Sequence, residues 1–399
     1  MTIGGSSAAA ELADLKFAVR RAPPITREER LARIERARAL TRDLGADALI
    51  VGAGASLRYF TGVPWGASER LVAMLLPVNG EPVMICPAFE RGSLEADLAI
   101  AAELRLWEEH ESPSRLVAAA LRDIGAGALA VDPAMAFELV HRLGQEISPV
   151  KVIEAGPVIN GCRMRKSAAE LALMQQAKST TLEVQRRAAR ILAPGITATE
   201  VRNFIEAAHR KLGAAGSSFC IVQFGESTAY PHGLPGEQRL ADGDVVLIDT
   251  GCTVDGYNSD ITRTYVFGKP SDEQRRIWDL EHAAQAAAFA RAEPGVPCEA
   301  VDAAARDVIV RAGLGPDYRL PGVPHRTGHG IGLSIHEPAY LVRGDTTPLA
   351  PGMCFSNEPM IVVPGRFGIR LEDHFYVTEQ GAAWFTTPSA SIDAPFGSN

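Results

Sequence analysis

The first part of the chain alternates short apolar runs with stretches whose apolar residues recur at helical spacing. A helix is predicted to begin after Thr26, which can cap it, because apolar residues recur every three positions from Leu31 to Leu40. Asn79-Gly80 predicts the turn of a hairpin. The strands expected here are 48–51, 71–76, 83–86 and 129–132, with further helices at 115–123 and 137–145. We therefore expect a mixed α/β domain over residues 1–157, which begins with a loose leader at 1–24.

The second part of the chain has longer helical stretches, separated by strand-like runs that end in polar residues. The helices expected here are 167–192, 198–212, 272–292 and 298–312. The expected strands are 219–223, 245–249, 261–267, 353–357, 360–363, 368–371 and 374–378. We assign residues 158–399 to a second domain of mixed α/β class. Polar residues of the kinds used in catalysis lie at several strand ends, so the chemistry is expected in this domain.

Composition narrows the classes of function. Apolar residues make up 46% of the chain and charged residues 22%, which is ordinary for a globular protein. The net charge of −8, without a patch rich in lysine and arginine, argues against a nucleic-acid partner. No apolar run approaches the ~18 residues needed to cross a membrane, and no signal-peptide pattern is present, so we expect a cytoplasmic protein without a membrane partner. The six cysteines include no CxxC pair, which favours reduced thiols.

Two aspartates frame a second predicted hairpin. Asp249 ends the apolar run 245–248, and Asp260 follows eleven residues later. The turn formers Gly251, Gly256 and Asn258 lie between them. A lone aspartate at a strand end is more often a turn or cap residue. Two that are framed by buried strands need a cation or a hydrogen-bond donor, because burying an isolated carboxylate is costly.

Three of the nine histidines fall within residues 325–337, where glycines flank His329. Glycine lets the backbone approach a site closely and leaves room for other side chains. A single histidine here would more often be packed or exposed to solvent. The presence of His325, His329 and His336 together favours a catalytic or metal-binding role. His374, further along the chain, has no assigned role, and a packed or surface position is expected for it.

Two glutamates complete a set of metal ligands. Glu358 lies in the stretch FSNEP and Glu372 in GIRLED, each within a run of strand character. Alternation along a strand puts Arg370 and Glu372 on the same face, where an ordinary ion pair is the simplest interpretation. A site of carboxylates that can bridge two ions, together with one imidazole, suits manganese, cobalt or zinc, and the softness of the ligands does not choose among these metals. Together the motifs supply a sufficient set of ligands for two divalent ions, namely Asp249, Asp260, His329, Glu358 and Glu372.

The order and spacing of these motifs resemble the pita-bread metallopeptidases, which include prolidase (Xaa-Pro dipeptidase), aminopeptidase P and methionine aminopeptidase. The matching stretches are DTGCTVDGYNSDITRT, HRTGHGIGLSIHE, FSNEP and GIRLED. The stretch LRYFTG at 57–62 resembles the N-terminal domain of prolidase and aminopeptidase P, which methionine aminopeptidases lack. The resemblance implies a pita-bread catalytic domain preceded by a smaller creatinase-like α/β domain. All five ligands are present, whereas creatinase has the fold and works without metal.

The resemblance also implies a mechanism, namely hydrolysis by a hydroxide that bridges the two metal ions. Glu358 is expected to act as the general base on the bridging water. His232 and His336 are expected to bind the scissile carbonyl, to stabilise the oxyanion or to help protonate the departing proline nitrogen. A proton source is required because that nitrogen is a poor leaving group until it is protonated.

Further residues are expected to support the site. His325 is expected to orient a metal-binding residue without itself binding the metal. Arg370 is expected to anchor either Glu372 or Asp260. Trp65 lies on a loop of the N-terminal domain that in relatives reaches the active site of the neighbouring subunit. A substrate contact by Trp65 is therefore a hypothesis, although ordinary packing is the commoner role of a tryptophan. The resemblance implies a homodimer.

The preferred substrate is a short proline-containing peptide, an Xaa-Pro dipeptide. Arg343 and Arg326 are candidates to bind its C-terminal carboxylate, because a guanidinium can grip a carboxylate with two hydrogen bonds. Aminopeptidase P activity on longer peptides is an alternative within the peptidases. A lyase or non-peptide hydrolase on the same scaffold is another, since fold alone does not determine function. A binding protein with an inactive site is disfavoured by the complete ligand set.

Overall fold

A computed structural model of the protein describes residues 3–16 and 21–397, which form two compact units. One unit is Ile25–Arg163, and the other consists of the described residues of Met1–Pro24 and Met164–Asn399. The mixed α/β class predicted from the sequence is confirmed. Within the described residues, no helix combines the length and the apolar character needed to span a membrane. All six cysteines are free thiols.

Helices and strands occur in both units. The helices are α1 (Ala8–Asp14), α2 (Arg27–Asp43), α3 (Ala55–Thr61), α4 (Arg91–Asp97), α5 (Pro113–Asp123), α6 (Phe137–Ile147), α7 (Gly156–Arg163), α8 (Ala168–Arg190), α9 (Ala198–Lys211), α10 (Asp272–Arg291) and α11 (Cys298–Arg311). The strands are β1 (Ala48–Gly52), β2 (Ala73–Pro77), β3 (Val83–Pro87), β4 (Glu103–Trp107), β5 (Ala128–Val131), β6 (Lys151–Glu154), β7 (Phe219–Phe224), β8 (Val245–Gly251), β9 (Thr253–Val254), β10 (Tyr257–Asn258), β11 (Ile261–Val266), β12 (Gly328–Gly330), β13 (Glu337–Leu341), β14 (Cys354–Asn357), β15 (Met360–Val363), β16 (Phe367–Arg370), β17 (Asp373–Thr378) and β18 (Gly381–Trp384).

The unit Ile25–Arg163 is built on one mixed sheet with the strand order β4-β3-β2-β1-β5-β6. The predicted hairpin is present as the antiparallel pair β2 and β3, whereas β1 and β5 run parallel. Helices α5 and α6 contribute Val117, Leu121 and Leu143 to the core on this sheet. Helices α2 and α3 also contact β1. All five residues of β1 are buried, which explains why this strand is a continuous apolar run.

The face that α2 buries differs from the apolar stripe that its sequence predicts. Leu31 belongs to that stripe but is 43% exposed. Arg30 and Arg33 are buried instead, because their guanidinium groups donate hydrogen bonds to the backbone carbonyls of Arg58 and Tyr59. Both carbonyls lie in the last turn of α3, where backbone donors become scarce; the carbonyl of Arg58 also accepts the N–H of Gly62 at 2.9 Å.

The second unit contains two larger sheets, each covered by a pair of helices. Helices α8 and α9 share a core with β7 and β8 in the antiparallel sheet β11-β8-β7. Helices α10 and α11 share a core with the sheet β13-β12-β14-β17-β18. Strands β15 and β16 form a separate ribbon. An isolated bridge between Thr262 and Glu372 connects β11 to the segment between β16 and β17, so the edges of the sheets meet there.

The helices of this unit begin where short polar side chains can cap them. Ser167, Thr197 and Ser271 form capping boxes with the residues three positions later, at the starts of α8, α9 and α10. Each box satisfies backbone N–H groups that the first turn of a helix otherwise leaves free. These starts agree with the starts predicted from the sequence.

The described part of residues 1–24 is not a loose leader of the first domain. Helix α1 is capped by Ser7, and Glu11 forms an ion pair with Arg187 of α8 at 2.9 Å. Gly4, at φ +76°, donates a backbone hydrogen bond to Ala189. Glycine and serine are typical of loops, but here they provide a cap and a turn, so this segment packs in the second unit. The other boundary of the first unit falls after Arg163 rather than at 157, because α7 packs on α2.

Candidate metal centre

The predicted hairpin of the two aspartates is present, and both carboxylates lie on one of its faces. Strands β8 and β11 are antiparallel, with Asp249 directly opposite Thr262. Asp260 precedes Thr262 by two residues, so strand alternation puts its side chain on the same face. Between the strands, the chain turns so tightly that a Cβ at Gly251 would lie 1.9 Å from the carbonyl oxygen of Ser259. Only glycine fits at this position without moving the hairpin.

His329 lies on β12 with one ring nitrogen free to bind a metal. Its Nδ1 lies 3.0 Å from the carbonyl oxygen of Gly330, which can only accept a hydrogen bond. The proton is therefore held on Nδ1, and the lone pair of Nε2 faces the acidic residues. Nε2 lies 3.1 Å from Glu358 Oε1 and 3.7 Å from Asp260 Oδ2. A Cβ at Gly328 would lie 2.1 Å from the backbone oxygen of Ser356, so this strand also needs its glycine.

The two glutamates are oriented by neighbouring hydroxyl groups. The Ser356 hydroxyl donates to Glu358 Oε1 at 3.0 Å, and the Thr262 hydroxyl donates to Glu372 Oε2 at 2.7 Å. Glu358 precedes β15 by two residues and Glu372 follows β16 by two residues, and these strands pair with Met360 opposite Arg370. The two carboxylates therefore extend from the same end of this ribbon towards His329.

The side chains form overlapping groups whose donor atoms all lie within 4.8 Å of one another. The groups are Asp260, His329 and His336; Asp260, Glu372 and His374; and His329, Glu358 and Glu372. Three buried carboxylate oxygens here, Asp249 Oδ1, Asp260 Oδ1 and Glu372 Oε1, have no hydrogen-bond donor among the described residues. Buried carboxylate oxygens without donors are costly unless a cation binds them. The residues therefore fit a site for divalent metal ions.

The electrostatics of the protein alone also favour a cation at this position. Burial and the nearby carboxylates of Glu372 and Asp249 raise the pKa of Asp260 well above its usual value. Burial and the charges of Glu358 and Asp249 do the same to the pKa of Glu372. Burial alone would raise the pKa of Glu358, but the neighbouring His329 and the positive charge nearby outweigh burial and lower it. The buried carboxylates therefore repel one another, because few positive charges lie near them. Bound cations would reduce this repulsion.

A pocket of about 550 Å³ opens onto this cluster. That size is in the usual range for small-ligand sites. Both histidines predicted to contact the substrate, His232 and His336, line the pocket and are exposed. The ring of His336 lies 4.2 Å from the ring of His329. The residues that line the pocket are Pro231, His232, Tyr318, His325, Arg326, His329, His336, Glu358 and Arg370.

The supporting residues fall in different places. Arg370 was expected to anchor Glu372 or Asp260, but its Nη2 binds Asp249 Oδ2 at 2.5 Å. The physical reason is that β16, which ends at Arg370, lies against β8. His325 lines the pocket, and its Nδ1 lies 2.7 Å from the backbone oxygen of Arg326.

The other two predicted supporting residues lie outside the pocket lining. Arg343 is exposed and forms an ion pair with Asp317, so it does not line this pocket. Trp65 lies in the unit Ile25–Arg163, on the segment between α3 and β2, and its side chain is half-buried.

His374 is a residue of this cluster that has no assigned role in the sequence. It is fully buried, and its Nε2 lies 3.8 Å from Glu372 Oε1. Neither ring nitrogen has a hydrogen-bond partner among the described residues, and burial lowers its pKa well below the usual value, so the ring is neutral. Strand alternation was the available signal, because residues 372 and 374 share a face.

The segment that carries His336 is held by Lys166 and Asn258, for which the sequence motifs predicted no role. Lys166 Nζ binds Glu337 Oε1 at 2.6 Å, and both side chains are buried. Asn258 Nδ2 donates to the backbone oxygens of Gly332 and Leu333 at 2.9 and 3.1 Å. These contacts connect the histidine-bearing segment to the start of α8 and to the aspartate hairpin.

Comparison with known proteins agrees with this geometry. Residues 172–379 match the model of metallopeptidase family M24, and residues 33–165 match the creatinase/prolidase N-terminal domain. A protein of Mycobacterium tuberculosis named "Probable dipeptidase PepE" is 37% identical over 353 residues, which are 88% of this chain and 92% of that protein.

Solved structures resemble the whole chain as well. Dipeptidase PepE from Mycobacterium ulcerans has a TM-score of 0.83 and 36% identity, over 92% of this chain and 97% of that chain. A prolidase from Thermococcus sibiricus has a TM-score of 0.83 and 30% identity, over 92% of this chain and 98% of that chain. The resemblance stated from the motifs is thus confirmed: a creatinase-like domain precedes a catalytic domain, and the chain belongs to metallopeptidase family M24.

Proposed function

We propose that this chain hydrolyses the peptide bond preceding proline in Xaa-Pro dipeptides, as a dinuclear metal enzyme. The observation that carries the proposal is the cluster of buried carboxylate oxygens without donors at the base of a pocket large enough for a dipeptide. The similar proteins named dipeptidase and prolidase support this choice of substrate. The proposed ligands of two divalent ions are Asp249, Asp260, His329, Glu358 and Glu372.

Divalent ions held by these residues would supply a nucleophile at neutral pH, by lowering the pKa of bound water. The chain contributes the general base. Glu358 faces the pocket, and nearby positive charge lowers its pKa, so its carboxylate is ionised and can accept a proton from the attacking water. The Ser356 hydroxyl holds the same carboxylate in one orientation.

His232 and His336 contribute hydrogen-bond donors and a proton. Both are exposed on the pocket wall, where an imidazole can reach the scissile carbonyl. We propose that they bind the oxygen on which negative charge develops and that one of them protonates the departing proline nitrogen. His325 and Arg370 support these groups, the first from the pocket wall and the second by holding Asp249.

Three further properties are proposed on the resemblance. The metal is manganese, with cobalt and zinc as alternatives, and metal content with activity after reconstitution tests this. The assembly is a homodimer in the cytoplasm, which sedimentation and cell fractionation test. Within such a dimer Trp65 contacts the substrate of the neighbouring subunit, and unchanged kinetics of Trp65→Ala would rule out that contact.

The first experiment is hydrolysis of Ala-Pro and Ala-Pro-Ala by metal-stripped protein, with and without manganese. Cleavage of the dipeptide alone, dependent on metal, is the expected result. Cleavage of the tripeptide alone would make the protein an aminopeptidase P. If the protein binds metal and cleaves neither peptide, the substrate is wrong, and a non-peptide hydrolase or lyase becomes the better assignment.

A further inference from the structure

His374 is a fully buried histidine whose ring nitrogens both lack a hydrogen-bond partner within the described part of the chain. His209 in the same unit is equally buried, but the hydroxyls of Thr181 and Ser217 lie 3.2 and 2.9 Å from its two ring nitrogens. Burying polar atoms without partners costs free energy, and an apolar side chain of similar size would avoid that cost. The packing of the fold alone therefore gives no reason for a histidine at position 374.

The ring of His374 lies beside two proposed metal ligands that also have unpartnered atoms. Its donor atom and those of Asp260 and Glu372 all lie within 4.8 Å of one another. Asp260 and Glu372 each keep one buried oxygen that accepts no hydrogen bond from the described residues. The other two groups of possible ligands are less deeply buried, since one includes the exposed His336 and the other the half-buried Glu358. The group around His374 is thus wholly buried, and each of its members has an unpartnered polar atom.

The distances suit an ion held between His374 and a carboxylate. Zinc lies about 2.1 Å from imidazole nitrogen and from carboxylate oxygen, so two donors to one ion lie at most about 4.2 Å apart. His374 Nε2 lies 3.8 Å from Glu372 Oε1, within this limit. The separation of His329 Nε2 from Asp260 Oδ2 is 3.7 Å, which is nearly the same. His374 therefore meets the distance criterion as well as His329 does.

The position of His374 in the sheet also directs its ring towards the centre. His374 lies on β17 directly opposite Ser356 on β14. Side chains of directly opposite residues lie on the same face of a sheet. The Ser356 hydroxyl accepts the backbone N–H of His329 and donates to Glu358 Oε1, so this face is the one that carries the proposed ligands.

A hydrogen bond from the nearby lysine does not explain the histidine. Lys178 is a fully buried cation whose charge acts on His374. Its Nζ donates to the backbone oxygen of Asn258 at 3.0 Å and lies 4.9 Å from the centroid of the Phe385 ring. Neither nitrogen of His374 accepts a hydrogen bond from it.

We propose that His374 is a nitrogen ligand of one of the two divalent ions, shared with Asp260 and Glu372. This inference rests on the ligand set of the proposed function. It gives the centre two imidazoles, His329 and His374, in place of one. Imidazole suits zinc, whereas carboxylates suit manganese, and cobalt and zinc bind nitrogen ligands more tightly than manganese does. The second imidazole therefore favours zinc or cobalt over manganese at this one position.

The first test measures zinc and manganese binding to metal-stripped protein by calorimetric titration, in the wild type and in His374→Leu. Leucine is similar in size and has no donor atom. Because changes around a metal site typically cost 10- to 100-fold in affinity, we expect zinc affinity in one of the two binding steps to fall by at least about that factor. Manganese affinity should fall less. His141→Gln, a change of an exposed histidine on α6, should alter neither affinity. Equal zinc affinity in His374→Leu and the wild type would overturn the proposal.

A measurement on the wild type alone tests the inference even if the variant folds poorly. In proton NMR of the cobalt-loaded protein, each imidazole bound to the paramagnetic ion gives a strongly shifted ring N–H signal. We expect two such signals, from His329 and His374, and one in His374→Leu. A single signal in the wild type, or loss of the second signal in His336→Gln instead, would overturn the role of His374. Two signals in a protein that cleaves no Xaa-Pro dipeptide would support this inference and reject only the proposed substrate.

Discussion

At the residue scale, the candidate metal centre is marked by buried carboxylate oxygens that accept no hydrogen bond from the described residues. Asp249, Asp260 and Glu372 each keep one buried oxygen without a hydrogen-bond partner among the described residues. Asp373, in contrast, is paired with Arg263 at 2.7 Å. Glu281 also keeps one such oxygen, so a missing donor alone does not identify a ligand. What distinguishes Asp260 and Glu372 is that their oxygens also lie close to His329 or to another possible ligand.

Replacing one such carboxylate should remove the metal. Changes in the surroundings of a metal site typically cost 10- to 100-fold, so loss of a direct ligand in Asp260→Asn should lower kcat/KM by more than about 100-fold. Metal content after dialysis, measured by mass spectrometry, should fall as well. Asp255→Asn is the matched control, since Asp255 is exposed in the turn of the same hairpin, at a φ of +48° that asparagine also tolerates. Full metal content in Asp260→Asn would contradict the proposed ligand set.

His209 should make the stability of the protein depend on pH. Its side chain is buried between the hydroxyls of Thr181 and Ser217, and burial lowers its pKa to about 4. Between that value and the unfolded value of about 6.5, the unfolded chain binds the extra proton, so the free energy of unfolding falls as pH falls. Above about 6.5, both states are neutral and the contribution of His209 does not vary.

The measurement is denaturant unfolding of the wild type and His209→Gln at pH 7 and pH 5. The wild type should lose about 2 kcal/mol more than the variant over this interval, because one shifted proton changes stability by about 1.4 kcal/mol per pH unit. Comparison with the variant cancels the titration of the metal ligands, which both proteins share. Equal losses would show that His209 is not the responsible group.

At the element scale, the site depends on strands that approach one another too closely for side chains. Strand β12 consists of Gly328, His329 and Gly330, and it contacts neighbours on both sides. A Cβ at Gly330 would lie 2.4 Å from the backbone oxygen of Glu337. Its two glycines thus let His329 lie between β13 and β14, within reach of the carboxylates.

Gly251→Ala should disrupt the aspartate hairpin. The new Cβ would overlap the carbonyl oxygen of Ser259, and Asp260 follows Ser259 directly. Overpacking of this kind costs about 1–3 kcal/mol, occasionally more, and we expect the upper part of this range together with weaker metal binding. Gly144→Ala is the control, since nothing lies within 4 Å of its added Cβ. Thermal unfolding and calorimetric metal titration measure the two effects, and an unchanged metal affinity would contradict the role of the turn.

The long elements were predictable from local pattern, and the short ones were not. Helix α8 begins at a capping box that the sequence shows as Ser167 and Glu170. Strand β8 is an apolar run followed by turn formers, and β11 after them is rich in β-branched residues. Strand β12 has neither signal, since glycine is a poor strand former, and it exists because two other strands pair with it. The burial of Arg30 and Arg33 could not be predicted from the sequence either, because the carbonyls that accept their hydrogen bonds lie on another helix.

At the scale of the whole molecule, metal should contribute to folding. The ligands come from both larger sheets of the second unit and from the ribbon between them, so a bound ion connects elements far apart in sequence. An ion present at about 1,000 times its dissociation constant stabilises the folded state by about 4 kcal/mol. Calorimetry should therefore show a lower midpoint after chelation, restored by manganese. Metal binding should also release protons, because Asp260 and Glu372 have raised pKa values without it. A midpoint unaffected by chelation would contradict this.

The sequence by itself determined the class of the fold, the hairpin of Asp249 and Asp260, and the family, because capping residues, apolar periodicity and closely spaced motifs act over short distances along the chain. Only the tertiary structure decided that Arg370 binds Asp249, that His374 lies beside Glu372, and that Arg343 binds Asp317. Such pairings depend on which strands lie side by side. That choice is made by the burial of whole faces, and no short stretch of sequence records it.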